Sequence, residues 1–384
     1  MRHFSWQFWM LCLSTLFFFT SFNLIIPELS SYLEQLGSKN KAWIISSFAF
    51  VALICRPFSG VLTDKIGRLP IMILGAGIAC VASLSYPLAV MASSFIAIRL
   101  FHGFSAGFKP TATVAYVSDI VPQKKRGEAM GFVGLMNNIG FMIGVGFGSL
   151  IKNKFGFEVL FGVSAFFALA SILVVLGMKE TLANKQAFQF KHLRIKFSEI
   201  LSLEVAKPAI IMFFGVIPFG CLLTLIPDYS QKIFQLENKG VFFIYMTCST
   251  LITRIVAGKL SDKFGRIPII LVGTMFWIVG LLLLSFTHTL NLFFLSALVL
   301  GVASGFNSPS IFAWAIDLAS PKTRGRSMST LFIFLELGII IGSILPTILV
   351  GGNPIDTQNG FKFCLATSIM MLWILIYFKK TEKK

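Results

Sequence analysis

The block Gly60-Val-Leu-Thr-Asp-Lys-Ile-Gly-Arg-Leu-Pro70 returns 198 residues later as Gly258-Lys-Leu-Ser-Asp-Lys-Phe-Gly-Arg-Ile-Pro268. A long apolar run precedes each copy and another follows it, so the same short charged turn is built twice. The offset holds beyond the block: Arg56 aligns with Arg254, Gly103 with Gly301, Gly107 with Gly305, Asp119 with Asp317, and Arg126-Gly127 with Arg324-Gly325. Matching over so many special residues requires one structural unit repeated in the same orientation.

Hydrophobic residues make up 56% of the chain and charged residues 13%, against about 25% charged in a soluble domain. With 42 Phe and a mean hydropathy of +0.83, such a chain belongs in lipid. A spanning helix takes about 20 mostly apolar residues. Twelve such runs are read, at 7–27, 42–62, 71–91, 95–119, 128–150, 158–178, 208–228, 240–260, 269–287, 290–318, 327–350 and 361–378. The predicted fold is an all-α membrane protein of twelve transmembrane helices in two six-helix bundles, 1–178 and 207–384, joined by a linker over 179–206. The first run is too long for a signal peptide, extending to Ile26-Pro27 without a small-residue cleavage site.

The net charge of +17 raises the question of nucleic acid, but its placement answers it. Lys and Arg cluster in alternate loops, around Lys65-Arg68, Lys124–Arg126, 179–207, Lys259–Arg266, Lys322–Arg326 and both chain ends. The opposite loops hold only Lys39, Lys41, Lys152, Lys154, Lys232, Lys239 and Lys362. This positive-inside pattern puts both termini in the cytoplasm, and implies lipid rather than nucleic acid as the polyanionic neighbour. In the linker, Phe190, Leu193, Phe197, Ile200 and Leu201 recur at helical spacing between Lys191, Arg194 and Lys196. That reads either as an amphipathic helix on the anionic leaflet or as a plain tether. All six cysteines (Cys12, Cys55, Cys80, Cys221, Cys248, Cys364) fall in apolar runs without metal-ligand spacing, as small hydrophobes do. No nucleotide-binding loop, metal cluster or nucleophile–base pair appears, so neither a cofactor nor enzymatic chemistry is expected.

Residues Gly60 to Arg68 match Gly-x-x-x-Asp-Arg/Lys-x-Gly-Arg, and Gly258 to Arg266 match it again. In this the chain resembles the major facilitator superfamily of transporters, over essentially its whole length. The resemblance implies that Asp64, Lys65 and Arg68, with Asp119 at the end of the fourth helix, form a latch that stabilises the outward-facing conformation. Asp262, Arg266 and Asp317 are its second copy. A carboxylate at a helix N-terminus gains from the dipole, and charge-assisted hydrogen bonds strengthen at a water–lipid boundary. Gly60, Gly67 and their copies Gly258 and Gly265 are read as permitting close helix contact and the tight turn. The alternative is that these charges only set topology.

Arg99-Leu-Phe-His102-Gly103 resembles the Arg-x-x-Gln-Gly signature of drug:proton antiporters, with His102 in place of Gln and Ala297 and Leu300 at the matching second-half positions. Intramembrane arginine marks function, unless Arg99 snorkels to the outer surface. His102 is either a proton carrier or a packed hydrogen-bonder. Gly134, Gly140, Gly144, Gly146 and Gly148 resemble the antiporter signature of the fifth helix, but Val145 stands where proline is usual; these glycines are expected to let helices five and eight approach. Lys109 precedes Asp119 by ten residues, roughly 15 Å of helix, so it lies near mid-bilayer. Its repeat mate is Asn307. Glu336, at similar depth in the eleventh helix, has Asn138 as its mate. By resemblance, helices four and ten line the central cavity, so Lys109 and Asn307 are read as facing substrate. Glu336 and Lys109 form a proton-switchable pair, a static salt bridge, or a site in which Lys109 alone holds an anion. Arg56 and Arg254, about 12 Å from Asp64 and Asp262 by the helical rise, are read as latch components.

The reading is a secondary active transporter in the inner membrane, working by alternating access and moving a small molecule, with proton-coupled efflux favoured and monomeric function implied by the resemblance. Its alternative is an importer or exchanger of organic anions without proton coupling. A membrane sensor would usually carry an added signalling domain, and only a few residues follow the last run.

Overall fold

A computed structural model describes residues 4–38, 41–122, 125–182, 185–189, 200–319, 324–350 and 357–381. Phe190, Leu193 and Phe197 of the expected surface helix, with the basic residues between them, lie outside the described residues. Among those described, all regular structure is helical.

The chain forms two compact units, Met1–Ser38 with Phe50–Phe197 and Lys39–Ala49 with Ser198–Lys384. Unit 1 opens with α1 (Trp6–Ile25), started by Ser5, whose side chain accepts the Phe8 backbone N–H. Pro27 ends it in a 3-10 turn that leads into α2 (Leu29–Gln35). Next come α3 (Ala42–Lys65), α4 (Arg68–Ser85), a second 3-10 turn over Tyr86–Leu88, and α5 (Ala92–Ile120). The helix α6 (Arg126–Leu176) is 51 residues long but bends at Gly156, whose φ of 85° only glycine adopts cheaply. The bend falls between the runs expected at 128–150 and 158–178, giving α6 two arms. Unit 2 contains α7 (Ala206–Phe234), α8 (Val241–Phe264), α9 (Arg266–Ser285), α10 (Leu290–Leu318), α11 (Arg324–Val350) and α12 (Thr357–Thr381).

Among the described residues, ten helical stretches are long and apolar enough to cross a membrane, and Glu128–Leu176 alone has 49 residues, about twice what a hydrocarbon core needs. The helix α5 is not one of the ten: with Arg99, His102 and Lys109 in its 29 residues it is less apolar than its neighbours. The chain is thus an all-α, multi-spanning membrane protein. Large apolar side chains such as Leu88, Ile252 and Ile255 stay exposed, as lipid contact allows.

Packing in unit 1 centres on α1, which lies along both arms of α6. On the first arm, a Cβ at Gly144 would come within 2.8 Å of the Asn23 Cβ and Leu24 N. Gly140 and Gly148 are equally tight against Leu16 and Leu24. These three glycines therefore serve the α1 contact, their four-residue spacing putting them on one helix face. On the second arm, serines take over. Ser14 pairs with Ser171 through hydroxyls 2.9 Å apart, and Ser21 and Ser164 each donate to the other's carbonyl at 2.8 Å. Without water to drive burial, helices in lipid associate through such close packing and hydrogen bonds. Unit 2 repeats the glycine contact, with Gly338 and Gly342 of α11 against the Phe213 and Ile217 carbonyls of α7.

Candidate functional site

The duplicated turn folds the same way twice. In unit 1, Gly67 joins α3 to α4 with φ 131°, and Arg68, the first residue of α4, turns its guanidinium back. Its Nε donates to Asp119 Oδ2 at 2.9 Å, and Nη1 lies 3.0 Å from Asp64 Oδ1 and donates to the Thr63 carbonyl at 2.7 Å. One planar fork thereby ties the ends of α3, α4 and α5 together. In unit 2, Arg266 Nε donates to Asp317 at 2.7 Å while Nη1 pairs with Asp262 and reaches Ser261 Oγ at 3.1 Å, with Gly265 at φ 90°. Both clusters hold helices of one unit to each other. Lys65 contributes its carbonyl, which accepts the Gln186 N–H at 2.8 Å.

Two expectations change here. A Cβ at Gly60 or Gly258 would meet nothing within 4 Å, so these glycines are not helix contacts; the turns depend on the positive φ of Gly67 and Gly265. The sequence reading also missed Glu180, just past α6. Its carboxylate accepts the Arg68 and Leu69 N–H groups at 3.1 and 3.0 Å, capping α4. Thr181 adds a 2.6 Å hydrogen bond to Asp119. An acid two residues from the helix end at Gly177–Met178 was the available signal.

Toward the other end of α5, Arg99 is 2% exposed and does not snorkel. Its Nη1 donates to the Tyr86 hydroxyl at 3.3 Å, which lies 3.2 Å from His102 Nδ1. The phenol accepts from the arginine, and its bond to Nδ1 runs in the direction that the imidazole tautomer sets. Tyr86, another residue the sequence reading missed, comes from the 3-10 turn after α4 and stacks on Phe161 at 5.0 Å. Tyr32 of α2 donates to the Tyr86 carbonyl at 2.8 Å, closing an aromatic lid over the cluster.

Midway along α5, Lys109 is buried among helices of unit 1. Its ammonium donates to Ser14 Oγ of α1 at 2.6 Å and lies 5.4 Å from the Phe18 ring centroid. Gly75 of α4 backs onto it so closely that a Cβ would stand 2.8 Å from the Lys109 backbone nitrogen. At the matching place in unit 2, Gly273 of α9 backs onto Asn307 of α10. The Asn307 amide, in its satisfied orientation, donates to the Ile270 carbonyl at 2.9 Å and accepts from Trp277 Nε1 at 3.2 Å. Glu336 is buried on α11 at 5% exposure. Asn138, half-buried on the first arm of α6, bonds its own helix at the Gly134 carbonyl, 2.7 Å away. Arg56 of α3 is buried and reaches Thr111 Oγ1 of α5 at 3.5 Å. Among the described residues no group of His, Cys, Asp or Glu is arranged to hold a metal.

Comparison with known proteins gives this arrangement its context. The sequence profile of the Major Facilitator Superfamily matches residues 11–252 and 240–384. Multidrug resistance protein 2 of Bacillus subtilis (strain 168) is 27% identical over 382 residues, covering 95% of this chain and 93% of that protein. The multi-drug resistance efflux pump PmrA of Streptococcus pneumoniae (strain ATCC BAA-255 / R6) is 28% identical over 376 residues, covering 93% of this chain and 91% of the pump. The crystal structure of the human organic anion transporter MFSD10 (TETRAN) shares the fold, with a TM-score of 0.76 at 18% identity over 96% of this chain and 98% of that one. With the profile matched along nearly the whole chain, this protein belongs to the Major Facilitator Superfamily and is a secondary-active, multi-pass transporter of small molecules, not an enzyme.

Proposed function

We propose that this protein exports small, amphipathic compounds in exchange for protons. The observation that carries the reading is the similarity to two bacterial multidrug-resistance proteins along more than nine-tenths of the chain. The proposed architecture is twelve crossings in two six-helix bundles, 1–178 and 207–384, with 179–206 as a cytoplasmic linker, both termini in the cytoplasm, and a monomer in the inner membrane. The 49-residue Glu128–Leu176 stretch, bent at Gly156, supports counting it as two crossings. Alternating access then rocks one bundle against the other around a mid-membrane site.

In this reading Glu336 carries a coupling proton, since buried intramembrane acids mark proton relays. Lys109, Arg99, His102, Asn307 and Asn138 shape the path of substrate and proton, and the two Arg–Asp clusters act as conformational latches. The test uses proteoliposomes loaded with ethidium under an imposed pH gradient. Wild type moves the dye and dissipates the gradient, and Glu336→Gln loses the dependence on the gradient. Glu336→Gln transport that keeps full gradient dependence rejects the assignment. Asp64→Asn cuts transport at normal abundance; unchanged transport removes the latch.

The buried cation Lys109 favours one other reading, an importer or exchanger of organic anions. The same vesicles separate the two: anion counterflow without proton movement selects the exchanger.

A further inference from the structure

Among the described residues of unit 1, no carboxylate pairs with Lys109. It is 1% exposed, and within unit 1 its ammonium meets one hydroxyl, Ser14 Oγ, and one ring, Phe18. An ammonium has three donors, of which one is used here. Among the described residues of unit 1 the contacts around it are neutral: α1 brings Ser14 and Phe18, α4 brings Gly75, and the second arm of α6 brings Ser171 behind Ser14, with its Glu158 thirteen residues away along the helix. The thiols on the surrounding helices of unit 1 are Cys12 on α1, Cys55 on α3 and Cys80 on α4. Arg56 of α3 is turned to Thr111, and His102 and Tyr116 lie about two turns away along α5 itself. A buried charge left this way is costly unless it can be shed.

Ser14 suits both forms of the lysine. A hydroxyl is donor and acceptor at once. When Lys109 is an ammonium, Nζ–H donates to Ser14 Oγ, and the Ser14 O–H turns to Ser171, whose carbonyl and hydroxyl oxygens lie 3.1 and 2.9 Å away. When Lys109 is a neutral amine, the Ser14 O–H turns round and donates to the Nζ lone pair across the same 2.6 Å. In either case the Ser171 O–H keeps its 2.9 Å bond to the Ser14 carbonyl. One proton can join or leave Nζ with no heavy atom moving: the Ser14 hydrogen leaves Ser171 for the amine, and the Ser171 O–H bond to the Ser14 carbonyl holds the pair together in both forms. Asn307, at the matching place in unit 2, has its amide fixed by a carbonyl and an indole N–H, and has one protonation state.

We propose that Lys109 is itself a proton-carrying site of the transport cycle, held in a hydroxyl cradle of Ser14 and Ser171 that accepts both the ammonium and the amine. The inference rests on the proton-exchange reading and adds to it a basic carrier in unit 1, separate from the acid Glu336 of unit 2. The step is a bare proton transfer: the Nζ lone pair takes a proton from water on one side of the membrane and the ammonium returns it to water on the other. Ser14 and Ser171 stay neutral throughout.

The test needs no substrate. Melting temperatures of full-length wild type and Lys109→Met, purified in detergent, are compared from mildly acid to alkaline pH, each also in a Glu336→Gln background. Lys109→Gln is run beside Lys109→Met, so that poor accumulation of one leaves the other. Wild type is expected to fall by several degrees relative to Lys109→Met towards acid pH, where the ammonium lacks a counter-charge. The effect persists with Glu336→Gln, and Lys109→Arg, permanently charged, shows no such pH dependence. A wild-type minus Lys109→Met difference that is flat with pH overturns the proposal. So does one that disappears in Glu336→Gln, which makes Lys109 half of an ion pair. In the ethidium proteoliposomes, failure of wild type sinks the exchange reading, whereas gradient-driven transport that survives intact in Lys109→Met sinks only the lysine carrier.

Discussion

Unit 1 puts Gly75 behind Lys109, and unit 2 puts Gly273 behind Asn307. The backbone contact is the same and the side chain differs. At a second pair of matching positions the exchange is reversed: unit 2 buries Glu336, while unit 1 holds Asn138 bonded to its own helix. At these two matched pairs each unit therefore carries one ionisable residue, and an amide where the other unit ionises. The helix contacts survive this exchange, since Gly140 and Gly144 against α1 match Gly338 and Gly342 against α7. Small residues set the framework, and neighbouring side chains decide whether a charge is tolerated on it. Ser14 and Ser171 have the apolar Met212 and Ile369 at the matching positions of unit 2, so the paired hydroxyls that hold the ammonium in unit 1 are not repeated there.

The sharpest way to break that comparison is to move the lysine. Asn307→Lys places an ammonium between an indole N–H and a carbonyl, without the Ser14–Ser171 pair that holds Lys109. Insertion scales put an uncompensated intramembrane lysine at ~2.5–3.5 kcal/mol, enough to remove most of the folded protein from the membrane. Lys109→Asn should accumulate normally. Fluorescence size-exclusion profiles of the two variants check this, and equal accumulation refutes the role given to the surroundings.

The two turns allow a second, smaller contrast. A Cβ at Gly67 meets both an unfavourable φ of 131° and the Glu180 carboxylate at 2.5 Å, whereas Gly265 has φ 90° and only Pro268 nearby at 3.6 Å. Backbone strain of this kind costs roughly 1–3 kcal/mol. Gly67→Ala is expected to lower the melting temperature more than Gly265→Ala, and the gap should close in a Glu180→Ala background. A gap that persists there assigns the difference to backbone strain alone.

Glu180 supplies the third contrast. Glu180→Gln weakens a charged cap, worth ~1 kcal/mol at a helix start. Hydrogen exchange should quicken at the Arg68 and Leu69 amides and leave those of Arg266 and Ile267 unchanged. Quickening at both helix starts would show a global loosening instead of a lost cap.

How much of this could be read from the chain depends on distance along it. The Asp64–Arg68–Asp119 cluster was legible because charges at apolar-run boundaries have few places to go, and its repeat as Asp262–Arg266–Asp317 doubled the signal. Lys109 could be placed at mid-depth from helical rise alone. Its partner could not: Ser14 lies 95 residues earlier and looks like any serine in an apolar run. The seven-residue spacing of Ser14 and Ser21 with Ser164 and Ser171 was the one hint of a shared face. Arg99 and His102 were found by their spacing, but Tyr86, which joins them, comes from a turn whose position depends on how α4 ends. The glycines of α6 were recognisable as a contact stripe, yet which helix they meet is a tertiary choice that periodicity does not encode.

The smallest effect tests whether the serine seam, which unit 2 lacks at the matching Phe219 and Lys362, does more than fill space. Ser164 donates to the Ser21 carbonyl at 2.8 Å, and its hydroxyl lies 2.9 Å from that of Ser83 on α4. Intramembrane hydrogen bonds average about 0.6 kcal/mol, so Ser164→Ala alone should lower the melting temperature only slightly. It leaves the Ser83 hydroxyl buried without its partner, however, and an orphaned polar group costs more than the bond it made. Adding Ser83→Ala removes the orphan, so the double variant should recover part of the loss. A double variant that loses the sum of the two single effects would mean that the hydroxyls act separately, and that close packing alone joins α4 to the second arm of α6.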